Sequence, residues 1–155
     1  MDKTLYDHDF QQWLSQTIQQ LQKRQFEGLD IEHLIEELTE LGRSEKNALK
    51  SNLTILLAHL LKLRVQSTAP ETMKGSWYSS VLEHRQRVLD SLESTPSLKT
   101  FLSETMEQAY PNARKIAIKE GKLAKFGIPT PSEADYPLSC PFSSQEMLDE
   151  DFYGG

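Results

Sequence analysis

Cysteine is nearly absent: Cys140 is the one thiol in 155 residues. An internal disulfide is therefore excluded, and this usage fits a reducing compartment such as the cytoplasm. Long apolar runs are missing too. The most apolar stretch is interrupted by His59 and Lys62 and is too short to cross a bilayer. The opening residues, MDKTLYDHDF, lack a basic segment followed by an apolar one, so no secretory signal is expected. No alternating strand pattern and no repeat of roughly 20–50 residues is found. Nucleophile elbows of the G-x-S-x-G kind, glycine-rich phosphate loops and H-E-x-x-H are all lacking. Their absence removes the common signatures of hydrolases, nucleotide-binding enzymes and zinc proteases.

What remains is a chain with 37% apolar and 26% charged residues, the balance of a soluble globular protein with room for one core. The net charge of −6 conceals a segregation. Residues 1–45 hold 4 basic and 10 acidic side chains, residues 46–125 hold 13 and 7, and residues 126–155 hold none and 6. An acidic tail beside a basic middle is expected to fold back over it, which weakens any nucleic-acid reading.

The strongest element is Ala48–Leu63. Leu49, Leu53, Leu56, Leu57, Leu60 and Leu61 recur at helical spacing, widened by Ile55, Ala58 and Leu63. So apolar a helix belongs in the middle of a bundle. Upstream, a first helix is expected from about Asp7 to Lys23, with Phe10, Trp13, Leu14, Ile18 and Leu21 on one face. Gly28 marks a turn and Asp30 an N-cap. A second helix, IEHLIEELTEL, ends at Gly42, and Ser44 offers a cap for the central helix. That punctuation predicts an antiparallel pair. One long helix through Gly42 is the alternative, because a helical glycine costs only about 1 kcal/mol.

Downstream, residues 67–70 and Gly75 mark a loop, Ser76 a cap, and Trp77–Leu92 a helix. A fifth helix starts near Ser97, and Pro111 is expected to kink or split it. Gly127–Pro141 carries four prolines and reads as extended. Ser143 and Glu146 match a capping box for a short terminal helix, which Phe142, Met147, Leu148 and Phe152 would dock. The expected fold is all-α: about five helices over residues 1–126, then a Pro-rich connection and terminal helix at 127–155 packed on the same single domain.

Several stretches in order carry a resemblance: LYDHDFQQW (5–13), LIEELTELGRSE (34–45), LLAHLLKL (56–63), SWYSSVLEHR (76–85) and CPFSSQEMLDEDF (140–152). Together they resemble the bacterial family catalogued as domain of unknown function 29. The resemblance implies an all-helical fold and brings no activity or catalytic residue with it.

Candidate chemistry centres on a polar cluster of Glu36, Glu37, Arg43, His59, His84 and Arg85. His59 lies within the apolar helix, where a buried imidazole needs a partner. It is expected to be a core histidine bonded to a carboxylate or backbone oxygen. A metal ligand converging with Glu36, Glu37 and His84 is the alternative. Adjacent glutamates point about 100° apart on a helix, so Glu36 or Glu37 paired with Arg43 or Arg85 is expected as an interhelical ion pair. Cys140 reads as a packing cysteine beside Phe142, and Trp13 and Trp77 as core anchors.

The leading functional reading is a non-enzymatic protein-interaction module without a cofactor. It would bind another protein or itself through a helical face, with the terminal segment as a latch. A metal-dependent bundle enzyme using His59 is the alternative. So is a nucleic-acid binder through the basic 114–125 stretch, whose Lys119, Lys122 and Lys125 would be unmasked by removing Asp149–Gly155.

Overall fold

Capping and apolar spacing produce helices along nearly all of the chain. The structure, a computed structural model, describes residues 4–123 and 130–155. These hold six α-helices and two short 3-10 turns, and no strand occurs among the described residues. The fold is all-α. Lys125 and the start of the Pro-rich connection, 127–129, lie outside the described residues. The chain groups into two units, Met1–Glu45 and Lys46–Gly155, so the division falls where the charge balance changes. Residues 130–155 group with the second unit.

In the first unit the expected single opening helix is two. α1 (Leu5–His8) begins with a capping box between Thr4 and Asp7. Asp9 then leaves the helical region (φ −150°, ψ 89°), and its carboxylate accepts from the Gln12 N–H at 3.1 Å, capping α2 (Phe10–Gln22). The turn beyond α2 passes through Gly28 at φ +82°, a left-handed conformation that suits glycine.

Asp30 caps α3 as expected, accepting from the His33 N–H at 3.3 Å. The antiparallel pair at Gly42 is not formed. α3 runs unbroken from Ile31 to Val65, with Gly42 and Ser44 inside it. A Cβ at Gly42 would meet nothing within 4 Å, so no packing demand holds a turn there. The strong helix formers around it outweigh the cost of one glycine.

The core of the second unit is built around the later part of α3. Leu49, Leu53, Leu56, Leu57, Leu60 and Leu61 are all 0% exposed, as their spacing requires. α4 (Glu71–Ser94) adds Trp77, Val81, Val88 and Leu92 to this core. It starts five residues before the predicted Ser76 cap because Pro70 ends the preceding turn and leads straight into the helix. Ser76 instead donates to the Met73 carbonyl at 2.8 Å.

A 3-10 turn (Pro96–Phe101) leads into α5 (Leu102–Leu123), which continues through Pro111 rather than splitting. Burial of Ala109, Tyr110 and Ala113 on either side holds the helix across the missing N–H. The terminal helix α6 (Ser144–Leu148) has the predicted capping box: Glu146 N–H donates to Ser143 Oγ at 3.1 Å and Ser143 N–H to Glu146 at 2.9 Å. Phe142 and Met147 are buried, with Leu148 and Phe152 packed beside them.

Candidate functional site

The predicted polar cluster resolves into separate arrangements. In the second unit, His59 and His84 both face Ser80. Their Nδ1 atoms each lie 3.2 Å from Ser80 Oγ. Each Nδ1 also lies close to a carbonyl four residues back, Ile55 at 2.9 Å and Ser80 at 2.8 Å. A carbonyl can only accept, so both Nδ1 atoms carry protons. Ser80 Oγ therefore meets two donors rather than a base. His59 is half-buried, and its Nδ1 bonds a backbone oxygen of its own helix. Burial, with the nearby Lys62 and His84, lowers its pKa. Among the described residues no group of three or more His, Cys, Asp and Glu could hold a metal.

Arg85 is 2% exposed, and its partners within the second unit are backbone oxygens. Its Nε donates to the Met147 carbonyl at 2.9 Å, and Nη2 to those of Phe152 at 2.7 Å and Glu146 at 3.4 Å. Arg85 thus anchors the C-terminal segment by its backbone oxygens. The chain end beyond them is equally fitted. Gly154, at φ +96°, lies where a Cβ would come within 2.8 Å of the Leu60 carbonyl oxygen.

Lys62 was not among the candidates, although a lysine within a leucine-rich helix was a legible signal. It is buried, pairs with Glu120, and sits over the Trp77 ring at 5.7 Å. Burial pushes its pKa down to about 8, outweighing the half-exposed carboxylate beside it. Cys140 packs as expected, donating weakly to the Phe142 carbonyl at 3.5 Å, and burial raises its pKa.

The basic stretch is partly engaged by the tail. Lys122 pairs with Glu133 at 2.9 Å, and Arg114 donates to the carbonyls of Tyr136 at 3.1 Å and Glu133 at 2.9 Å. The acid that meets Lys122 is therefore Glu133, not a residue of Asp149–Gly155. Among the described residues, the tail thus meets the stretch through backbone oxygens and one carboxylate.

The remaining candidates lie in the first unit. Arg43 pairs with Glu40 on the same helix rather than across helices, because a three-residue step already brings them together. Glu37 accepts from the Tyr6 hydroxyl. Tyr6 stacks on His33 with centroids 3.9 Å apart, His33 Nδ1 bonds Asp30 at 2.6 Å, and the Trp13 indole N–H donates to Asp30 at 3.2 Å. This polar and aromatic knot fastens α1 and α2 to the start of α3. Bonding to Asp30 raises the His33 pKa, and the same bond lowers that of Asp30.

Outside the knot the first unit is open. Among its described residues only Trp13 and Thr17 are buried. Ile31, Ile35, Leu38 and Leu41 are 51–64% exposed, and they follow one another by four, three and three residues along α3. Phe10, Ile18 and Leu21 of α2 are exposed as well, as is Phe26 in the turn. Such a stripe at helical spacing is the pattern of a core face, yet no described side chain of the first unit covers it. Neither the curated proteins nor the solved structures contain a match to this chain. A family model does match, across residues 5–153 and hence through every α-helix just described, and the chain belongs to that family, Domain of unknown function DUF29.

Proposed function

We propose that the protein is a cytoplasmic, non-enzymatic interaction module that engages another protein through the apolar helical face of its first unit. The observation that supports this reading is the uncovered stripe of Ile31, Ile35, Leu38 and Leu41. Burying one such side chain is worth roughly 1.5–3 kcal/mol, so leaving four on one face is costly unless something docks there. The chemistry of the second unit points the same way. Ser80 faces donors rather than a base, and Arg85 serves the tail. No helix among the described residues is long and apolar enough to cross a membrane.

Site-specific photo-crosslinking in cells that naturally make the protein tests the reading. A photoreactive residue at Leu38 is expected to give one discrete protein adduct. The same group at Leu82, an equally exposed leucine of the second unit, is expected to give none. No adduct from Leu38, or equal adducts from both positions, contradicts the proposal.

A further inference from the structure

The apolar face of the first unit is edged with acid. Glu32 and Glu36, both exposed, follow each other by four residues along α3 beside Ile31 and Ile35. Glu45 follows Leu41 by four and Leu38 by seven, which puts it in line with the stripe itself. Glu40 is already paired with Arg43. The first unit carries the whole formal charge of −6, from 10 acidic and 4 basic residues, while the second holds 13 of each. The apolar and acidic features therefore coincide on one unit.

We infer that the occupant of this face is a basic amphipathic helix of a different protein, its apolar side on Ile31, Ile35, Leu38 and Leu41 and its Lys or Arg residues against Glu32, Glu36 and Glu45. This rests on the interaction reading above and names its partner class. The geometry favours a helix because the stripe is a ridge with steps of three and four, into which another helix packs. The charge favours a basic one. A second copy would bring two units of −6 together, and an anionic lipid surface or nucleic acid would be repelled by the same carboxylates.

The full chain is tested with two synthetic amphipathic helices of about four turns, one of Leu and Lys and the other of Leu and Glu in the same pattern. Sedimentation of the chain alone comes first and is expected to show a monomer. The Leu/Lys helix is expected to bind about tenfold or more tightly than the Leu/Glu helix. Its affinity should fall as salt rises from about 0.1 M to about 1 M, where the screening length shrinks from about 10 Å to about 3 Å. Ile35→Gln with Leu38→Gln should abolish binding of both helices. Glu32→Gln, Glu36→Gln and Glu45→Gln together should weaken the Leu/Lys helix about tenfold. Leu82→Gln should change neither. These positions are exposed, and unaltered helicity by circular dichroism verifies that each variant folds.

Equal binding of the two helices overturns the inference while leaving the interaction reading intact. A dimer that Ile35→Gln with Leu38→Gln dissolves assigns the face to a second copy and also overturns it. A monomer that binds neither helix does the same. The interaction reading itself is tested separately, by the crosslinking.

Discussion

Arg85 binds three backbone carbonyls of the C-terminal segment, and its burial leaves water no access to replace them. Hydrogen bonds from a charged donor contribute about 1.5–3 kcal/mol each in net terms, and an abandoned buried carbonyl costs a comparable amount. Arg85→Met is expected to destabilise the protein by about 3 kcal/mol, read from its urea midpoint, and to open Cys140–Tyr153 to protease. Arg85→Lys should recover little, since an ammonium lacks the planar fork. A change below about 0.5 kcal/mol in Arg85→Met contradicts the clamp. The sequence marked Arg85 as a polar candidate for an ion pair. It could not show the partners, because a backbone carbonyl has the same signature at every residue.

Lys62 gives a prediction in pH. Its folded pKa of about 8 lies below the ordinary 10.5. Between those values the unfolded chain holds a proton that the folded one lacks, so stability from this group rises as pH rises through that window. The stability of the protein relative to Lys62→Met should therefore increase from about pH 8 towards pH 10.5, measured by denaturation at each pH. A flat or falling difference contradicts a desolvated ammonium.

At the scale of elements, α3 is the test case. If Gly42 is helical and open, Gly42→Ala should stabilise the protein by about 1 kcal/mol. If it were a left-handed C′ residue, the same change would destabilise it by a similar amount. The thermal midpoint decides. The sequence offered both forms, because a glycine after a leucine is compatible with a helix end and with a tolerated interior position. Local punctuation could not choose, and the absence of any neighbour at Gly42 did. Ser76 misled in the same way. A serine before an apolar run mimics a cap, while Pro70 set the true start. Where two signals agreed, as in the Ser143–Glu146 box, the start of the element was legible to the residue.

The knot in the first unit has its own pH signature. The raised pKa of His33 makes its contribution full below 6.5 and lost as pH rises through the folded value. The lowered pKa of Asp30 makes its contribution present above 3.8 and lost as pH falls through the folded value. The pair thus holds best between 3.8 and 6.5. The Trp13 indole N–H resonance, bonded to Asp30, should stay in place across that window and move on either side. Asp30→Asn should remove the acid limb. A resonance that never moves contradicts the linkage.

For the whole molecule, the division at residue 45 aligns burial with charge. The second unit buries the leucines of later α3 in a continuous core, whereas the first holds two buried residues among those described and an acidic, apolar exterior. The core of the second unit was legible because its leucines keep a helical period over many turns. The stripe of the first unit was equally visible as apolar spacing, and it read as a core face. Periodicity reports that a face is apolar and not what covers it, so the candidate interface was hidden within the prediction of the fold. The six polar candidates illustrate the converse. Residue type marked them as candidates, but their partners are set by which carbonyls, hydroxyls and rings the helices bring near.

The most direct test of the central claim is native mass spectrometry of the protein isolated gently from the cells that make it, beside the Ile35→Gln, Leu38→Gln variant. The account predicts an excess over the chain mass of the size of a second, different protein, lost in the variant. A bare chain in both, or an excess that the variant retains, contradicts it.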